Sequence, residues 1–174
     1  PTGHSFQAHV GPMRPTSRGE IKLKSNKPSD APSIQFNYMQ TEHDLNEMRD
    51  GIEIARDIFN QKAFDEYRGK ELSPGIQEKS KESINEFIRN KGDTAYHPSC
   101  TCKMGNDESS VVNEELKVYG IDKLRVVDAS IMPNIITGNL NAATVMIAEK
   151  ASDLILKRSP LELEEHNFYR ANYN

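Results

Sequence analysis

Polar and apolar residues alternate with a period of two over residues 20–25, where Ile21 and Leu23 sit between charged neighbours, and this predicts a strand with one wet face. Turn chemistry at residues 27–32, with Pro28 and Pro32, ends it, and the alternation resumes over residues 33–38. Two strands in sequence predict an antiparallel pair. The period then changes. Thr41 and Asp44 resemble a capping box, and Leu45, Met48, Ile52, Ala55 and Phe59 follow at three- and four-residue spacing, the mark of an amphipathic helix. A loop is expected over residues 68–75, broken by Gly69, Pro74 and Gly75. A second helix is expected from about Ser80, with Ile84, Phe87 and Ile88 as its stripe and its end near Lys91 and Gly92. Further on, a polar loop at 105–110 precedes a short β-branched strand at 124–127 that stops at Asp128. A third helix is expected over about 141–157, with Ala143, Ile147, Ala151 and Leu154 facing inward and Asn139 or Asn141 as its cap. The opening residues 1–18 read as loop or edge strand, and the polar tail 159–174 as mobile.

Composition narrows this picture by exclusion. A chain of 174 residues can bury a real core, and its net charge of -4, from 22 basic and 26 acidic side chains, offers no field that would attract nucleic acid. The longest apolar stretch, residues 142–148, is short and interrupted by Thr144, so no spanning helix is expected. The only cysteines, Cys100 and Cys102, are too close for an unstrained mutual disulfide, and no second pair exists to complete a zinc site. Reduced thiols and a cytoplasmic location are the expectation, with no bound metal. The chain opens on Pro1 without an initiator Met, which suggests a piece of a longer protein.

Few residues could carry chemistry. His97 precedes Pro98 in a loop rich in small residues, and an imidazole, which titrates near neutrality, can take a proton from an alcohol; a structural or merely exposed loop histidine is the plain alternative. Asn141, at the mouth of the third helix, is either a simple cap or a group placed where free N–H donors and a partial positive charge favour an anion. Asp128 is either a turn-forming carboxylate or a ligand contact at the end of a strand. A thiol–imidazole metal site at Cys100, Cys102 and His97 fits no standard spacing.

Taken together, His97-Pro98-Ser99-Cys100-Thr101-Cys102-Lys103-Met104-Gly105, the segment Leu124-Arg125-Val126-Val127-Asp128-Ala129-Ser130 with Ile131-Met132-Pro133, and Gly138-Asn139-Leu140-Asn141 resemble the carboxy-terminal signatures of the glucose–methanol–choline (GMC) oxidoreductases. Upstream, His9-Val10-Gly11-Pro12-Met13-Arg14, Phe36-Asn37-Tyr38-Met39 and Tyr67-Arg68-Gly69-Lys70-Glu71-Leu72-Ser73-Pro74-Gly75 resemble the bacterial choline-oxidising branch of that family.

The resemblance implies an α+β fold: an antiparallel sheet backed by helices, forming part of the substrate-binding domain over residues 1–110, then a segment at 111–158 returning to an FAD-binding Rossmann-type domain as its closing strand and helix. The Gly-x-Gly-x-x-Gly turn that cradles FAD pyrophosphate in such domains does not occur in this sequence. FAD would thus be held mainly by residues the chain lacks, and the chain alone is expected to be inactive. The resemblance also assigns roles. His97 becomes the base that accepts the substrate hydroxyl proton as a hydride passes to flavin N5, and Asn141 its partner at the alcohol oxygen. Asp128, Ala129, Asn141 and Thr144 become cofactor neighbours. Choline is the implied substrate, oxidised to betaine aldehyde and on to glycine betaine. Oxygen and a membrane quinone stay open as electron acceptors, so the parent is cytoplasmic or peripheral on the inner membrane. Self-association of the fragment is a further expectation, and a free-standing binding module is the alternative.

Overall fold

A computed structural model describes residues 3–162 and 164. Most of the tail expected to be mobile lies outside the described residues. The chain divides into two compact units, one reaching to Thr101 and joined by Asn134–Asn139, the other formed by Cys102–Pro133 and the chain from Leu140 onward.

In the first unit β1 (Glu20–Lys22) pairs antiparallel with β2 (Ser33–Gln35), Ile21 opposite Ile34. Both strands are shorter than the alternation predicts. At one end Ser25 Oγ donates to Asp30 Oδ2 at 2.7 Å and accepts from Lys27 N at 3.0 Å, so local side-chain bonds turn the chain and close the ladder. At the other end Asn37 and Met39 adopt left-handed φ values of 54° and 57°, which a strand cannot hold. Gly19 is required by close approach, because a Cβ there would stand 2.3 Å from the Gln35 carbonyl oxygen. The sheet is a two-stranded antiparallel ribbon whose Ile21 and Ile34 remain about half exposed, at 51% and 50%, and with the helices it gives the expected α+β class.

That core lies between α1 (Glu42–Phe59) and α2 (Lys81–Lys91). Thr41 caps α1 by accepting from Asp44 N at 3.3 Å, and Glu42 and Asp44 place negative charge in its first turn. Ser80 caps α2 by accepting from Ser83 N at 3.0 Å. Leu45 and Ile52 of α1 meet Ile84 and Ile88 of α2, with Val10, Met39, Met48 and Phe87 around them. The stripes read from the sequence are the faces that pack. Arg56, in the last turn of α1, binds Glu71 at 2.8 Å and the Gly75 carbonyl at 3.1 Å, tying the 68–75 loop to the helix.

The second unit is built on α3 (Leu140–Leu156) and irregular backbone. Residues 124–127 are not a regular strand: only Arg125 bridges, to Lys117, with Val126 N donating to Leu116 O at 3.2 Å and Val118 N to Leu124 O at 3.0 Å. Left-handed residues at Leu116 (φ 64°) and Lys123 (φ 63°) bend the chain on both sides of this contact, so the ladder stops after one rung. Val112, Leu116, Ile131 and Ala151 form the core, with Ile147 and Leu154 of α3 against it. The Ile147, Ala151 and Leu154 stripe is therefore as expected. The α3 start falls within one residue of the expected one: the helix begins at Leu140, directly after Asn139, the first of the two cap candidates, and Asn141 is its second residue.

Candidate active site

His97 stands five residues beyond the C-cap of α2, Gly92, whose N–H donates to Ile88 O at 2.7 Å. From there Asp93 Oδ1 accepts from Thr94 N at 2.7 Å, and Thr94 Oγ1 accepts from Tyr96 N at 3.0 Å. Tyr96 is left-handed, φ 59°, which folds the loop back on itself and brings the Ala95 carbonyl oxygen to 2.5 Å from His97 Nδ1. A carbonyl only accepts. Nδ1 therefore carries the hydrogen, and in the neutral ring Nε2 presents its lone pair. The imidazole is half-buried. Prepared in this way, it can receive a proton at Nε2.

The other candidates lie in the second unit. Asp128 accepts from Ser130 N at 2.7 Å and so caps the short 3-10 turn Ala129–Ile131, which packs against α3. The turn-forming role weighed for Asp128 is observed, and it engages one carboxylate oxygen. Ala129 opens that turn and is half-buried. Asn141 is exposed in the first turn of α3, and Thr144, half-buried, donates to Leu140 O at 2.9 Å. That first turn contains no acidic residue, and its leading N–H groups have no acceptor four residues back. An electron-rich ring edge fits there, since the helix end is a partial positive charge and Asn141 adds carboxamide donors. These residues suit the edge of a flavin on which negative charge gathers. Among the described residues no group of three or more His, Cys, Asp or Glu gathers at metal-binding range.

Two participants in the His97 loop escape sequence reading. One is the Ala95 carbonyl, since a backbone atom has no signature. The other is Tyr38, whose hydroxyl donates to Thr94 Oγ1 at 3.0 Å across 56 positions of sequence.

Comparison with known proteins agrees with the class this fold suggests. The model of the GMC oxidoreductase family matches residues 15–148, and the chain belongs to that family. It is 56% identical over 168 residues to the oxygen-dependent choline dehydrogenase of Pseudomonas fluorescens (strain SBW25), covering 97% of this chain and 30% of that protein. Among solved structures, pyridoxine 4-oxidase from Mesorbium loti is similar with a TM-score of 0.79 and 34% identity, over 85% of this chain and 29% of that one. An FAD-dependent oxidoreductase from Chaetomium thermophilum follows with a TM-score of 0.78 and 31% identity, over 86% of this chain and 26% of its own. The chain spans about 30% of the length of the curated relatives it matches.

Proposed function

We propose that the chain is the carboxy-terminal part of an FAD-dependent choline dehydrogenase that oxidises choline to betaine aldehyde and, through the aldehyde hydrate, to glycine betaine. The observation that carries this reading is the Nδ1 contact of His97 with the Ala95 carbonyl, which leaves Nε2 as a proton acceptor beside a scaffold of GMC type. In the reaction Nε2 takes the hydroxyl proton as the C–H bond of the alcohol carbon breaks. Asn141 has the partner role: its carboxamide N–H donates to the substrate oxygen and holds the alcohol in line. Asp128, Ala129, Thr144 and the first turn of α3 are assigned to holding the cofactor. Bound FAD supplies the two-electron acceptor for the hydride that leaves carbon. The bacterial relatives are oxygen-dependent choline dehydrogenases, which favours oxygen over a quinone as terminal acceptor. No helix among the described residues is long and apolar enough to cross a membrane, and we place the parent in the cytoplasm or peripherally on the inner membrane.

The test uses the full-length parent, reduced anaerobically with choline in a stopped-flow instrument. His97→Ala is expected to slow flavin reduction by about 10² to 10⁴-fold, the usual worth of a positioned base, with FAD content retained. A rate equal to that of the unaltered enzyme would remove His97 from this role.

A further inference from the structure

We infer that Tyr38 and Thr94 are positioning residues for His97: their side chains form a strut that fixes the loop and, through it, the tautomer of the imidazole. The inference rests on the reading of His97 as the base. Residues 93–97 are mostly exposed, and Tyr96 is held left-handed, a conformation a bulky residue keeps only when its surroundings impose it. Only one side chain both lies inside that loop and binds another element: Thr94. Its Oγ1 accepts from Tyr96 N at 3.0 Å and from the Tyr38 hydroxyl at 3.0 Å. The first bond holds the Tyr96 peptide in its folded-back orientation. That same peptide carries the Ala95 carbonyl that receives His97 Nδ1. The second bond ties the arrangement to the β1–β2 hairpin.

Tyr38 is a firm anchor. It sits between two left-handed residues, Asn37 and Met39, and its ring stacks on Phe36 with centroids 5.1 Å apart and planes 11° from parallel. Asn37 Nδ2 donates to Arg18 O at 3.0 Å, and Gln40 N donates to Ser17 Oγ at 3.0 Å, so both flanks of Tyr38 are tied to the segment before β1. Force therefore passes from β2 through Phe36 and Tyr38 to Thr94, to the Tyr96 peptide, and to the imidazole. Without the strut the Ala95 carbonyl can turn to water. An unconstrained imidazole then reverts to its ordinary preference for hydrogen on Nε2, and the atom that must accept the proton is already occupied.

The 174-residue chain itself supplies the test. With ¹⁵N-labelled histidine, long-range proton–nitrogen correlation spectra at a pH where the ring is neutral report which nitrogen carries hydrogen. The native chain is expected to show His97 with a protonated Nδ1. Thr94→Val and Tyr38→Phe are each expected to lower the Nδ1–H to Nε2–H ratio roughly fivefold, the factor that one hydrogen bond of ordinary strength sets. Thr94→Ser, which keeps the acceptor oxygen, should restore it. The other histidines serve as internal controls, since a general loss of structure would move them too. If Thr94→Val fails to fold, Tyr38→Phe decides. Native tautomer ratios in the folded variants would overturn the strut. Such a result would leave the base role of His97 standing, because the stopped-flow experiment on His97→Ala judges that role separately.

Discussion

Asp44 is the buried charge of the described chain, with 0% of its surface exposed, and its three donors explain how it survives there. Thr16 N at 2.7 Å, Thr16 Oγ1 at 2.9 Å and Ser17 N at 2.9 Å converge on its two oxygens, while its own N–H donates to Thr41 Oγ1. With Thr41 Oγ1 joined to Thr16 Oγ1 at 2.6 Å, the start of α1 and the segment before β1 become one knot. Burial pushes the carboxyl up; the hydrogen bonds from Ser17 and Thr16 outweigh it and hold Asp44 well below the usual carboxylate range. The native state thus binds this proton less readily than the unfolded chain does, whose Asp titrates near ~3.9. Asp44 contributes its full stabilisation above that pH, and the contribution is lost as pH falls from about 5 toward the lower native value. Asp44→Asn puts an NH₂ where donors already point. It is expected to cost about 3 kcal/mol in urea unfolding at neutral pH and to flatten the acid limb of the stability profile. Equal acid limbs in the two proteins would count against the knot.

At the level of elements, the core between α1 and α2 invites a simpler measurement. Ile88, 2% exposed, is enclosed by Leu45, Ile52 and Ile84, and Ile88→Ala should lower stability by about 3 kcal/mol, since that site is closed on all sides. A loss under 1 kcal/mol would mean that the helices collapse onto the gap. These helices were legible because their signals are local: Thr41 and Ser80 lie within three residues of the N–H they cap, and each apolar stripe repeats inside one element. Strands offered less. Residues 124–127 have the β-branched composition of a strand, yet whether they pair depends on where the chain bends at Leu116 and Lys123, and left-handed Leu and Lys have no compositional mark. The same distinction runs through the site. His97 could be singled out as a residue, and Asp128 as a turn former. The Nδ1 partner of His97 is a carbonyl, and the Tyr38–Thr94 bond joins a hairpin to the end of a helix across most of the first unit's sequence. Neither leaves a pattern in the order of side chains.

For the molecule as a whole, α3 raises the question of what an isolated chain does with an apolar surface. With about 100° per residue, the Ile147, Ala151 and Leu154 stripe faces the core of the second unit, Val145, Met146 and Leu156 fall on the other half of the helix, and Ile155 lies at the edge of the stripe. The exposures of Val145, Met146, Ile155 and Leu156 are 53%, 66%, 53% and 56%, and Asn141, Glu149, Ser152 and Asp153 share the outward side, with Lys150 bordering it. A helix of a globular protein usually turns charge outward, and here large exposed apolar side chains share the outward half with that charge. In a chain that spans 30% of its relatives' length, a second copy is the surface available to cover that face, and a net charge of -4 opposes the approach only weakly once salt screens it. Sedimentation at tens of micromolar is therefore expected to show species heavier than the 19.6 kDa monomer. Met146→Lys, at the most exposed of these positions, adds a charge that a second copy would have to desolvate and should shift the distribution to monomer without lowering the unfolding midpoint. A monomeric native chain, or a variant that associates as strongly, would show that α3 is not the contact.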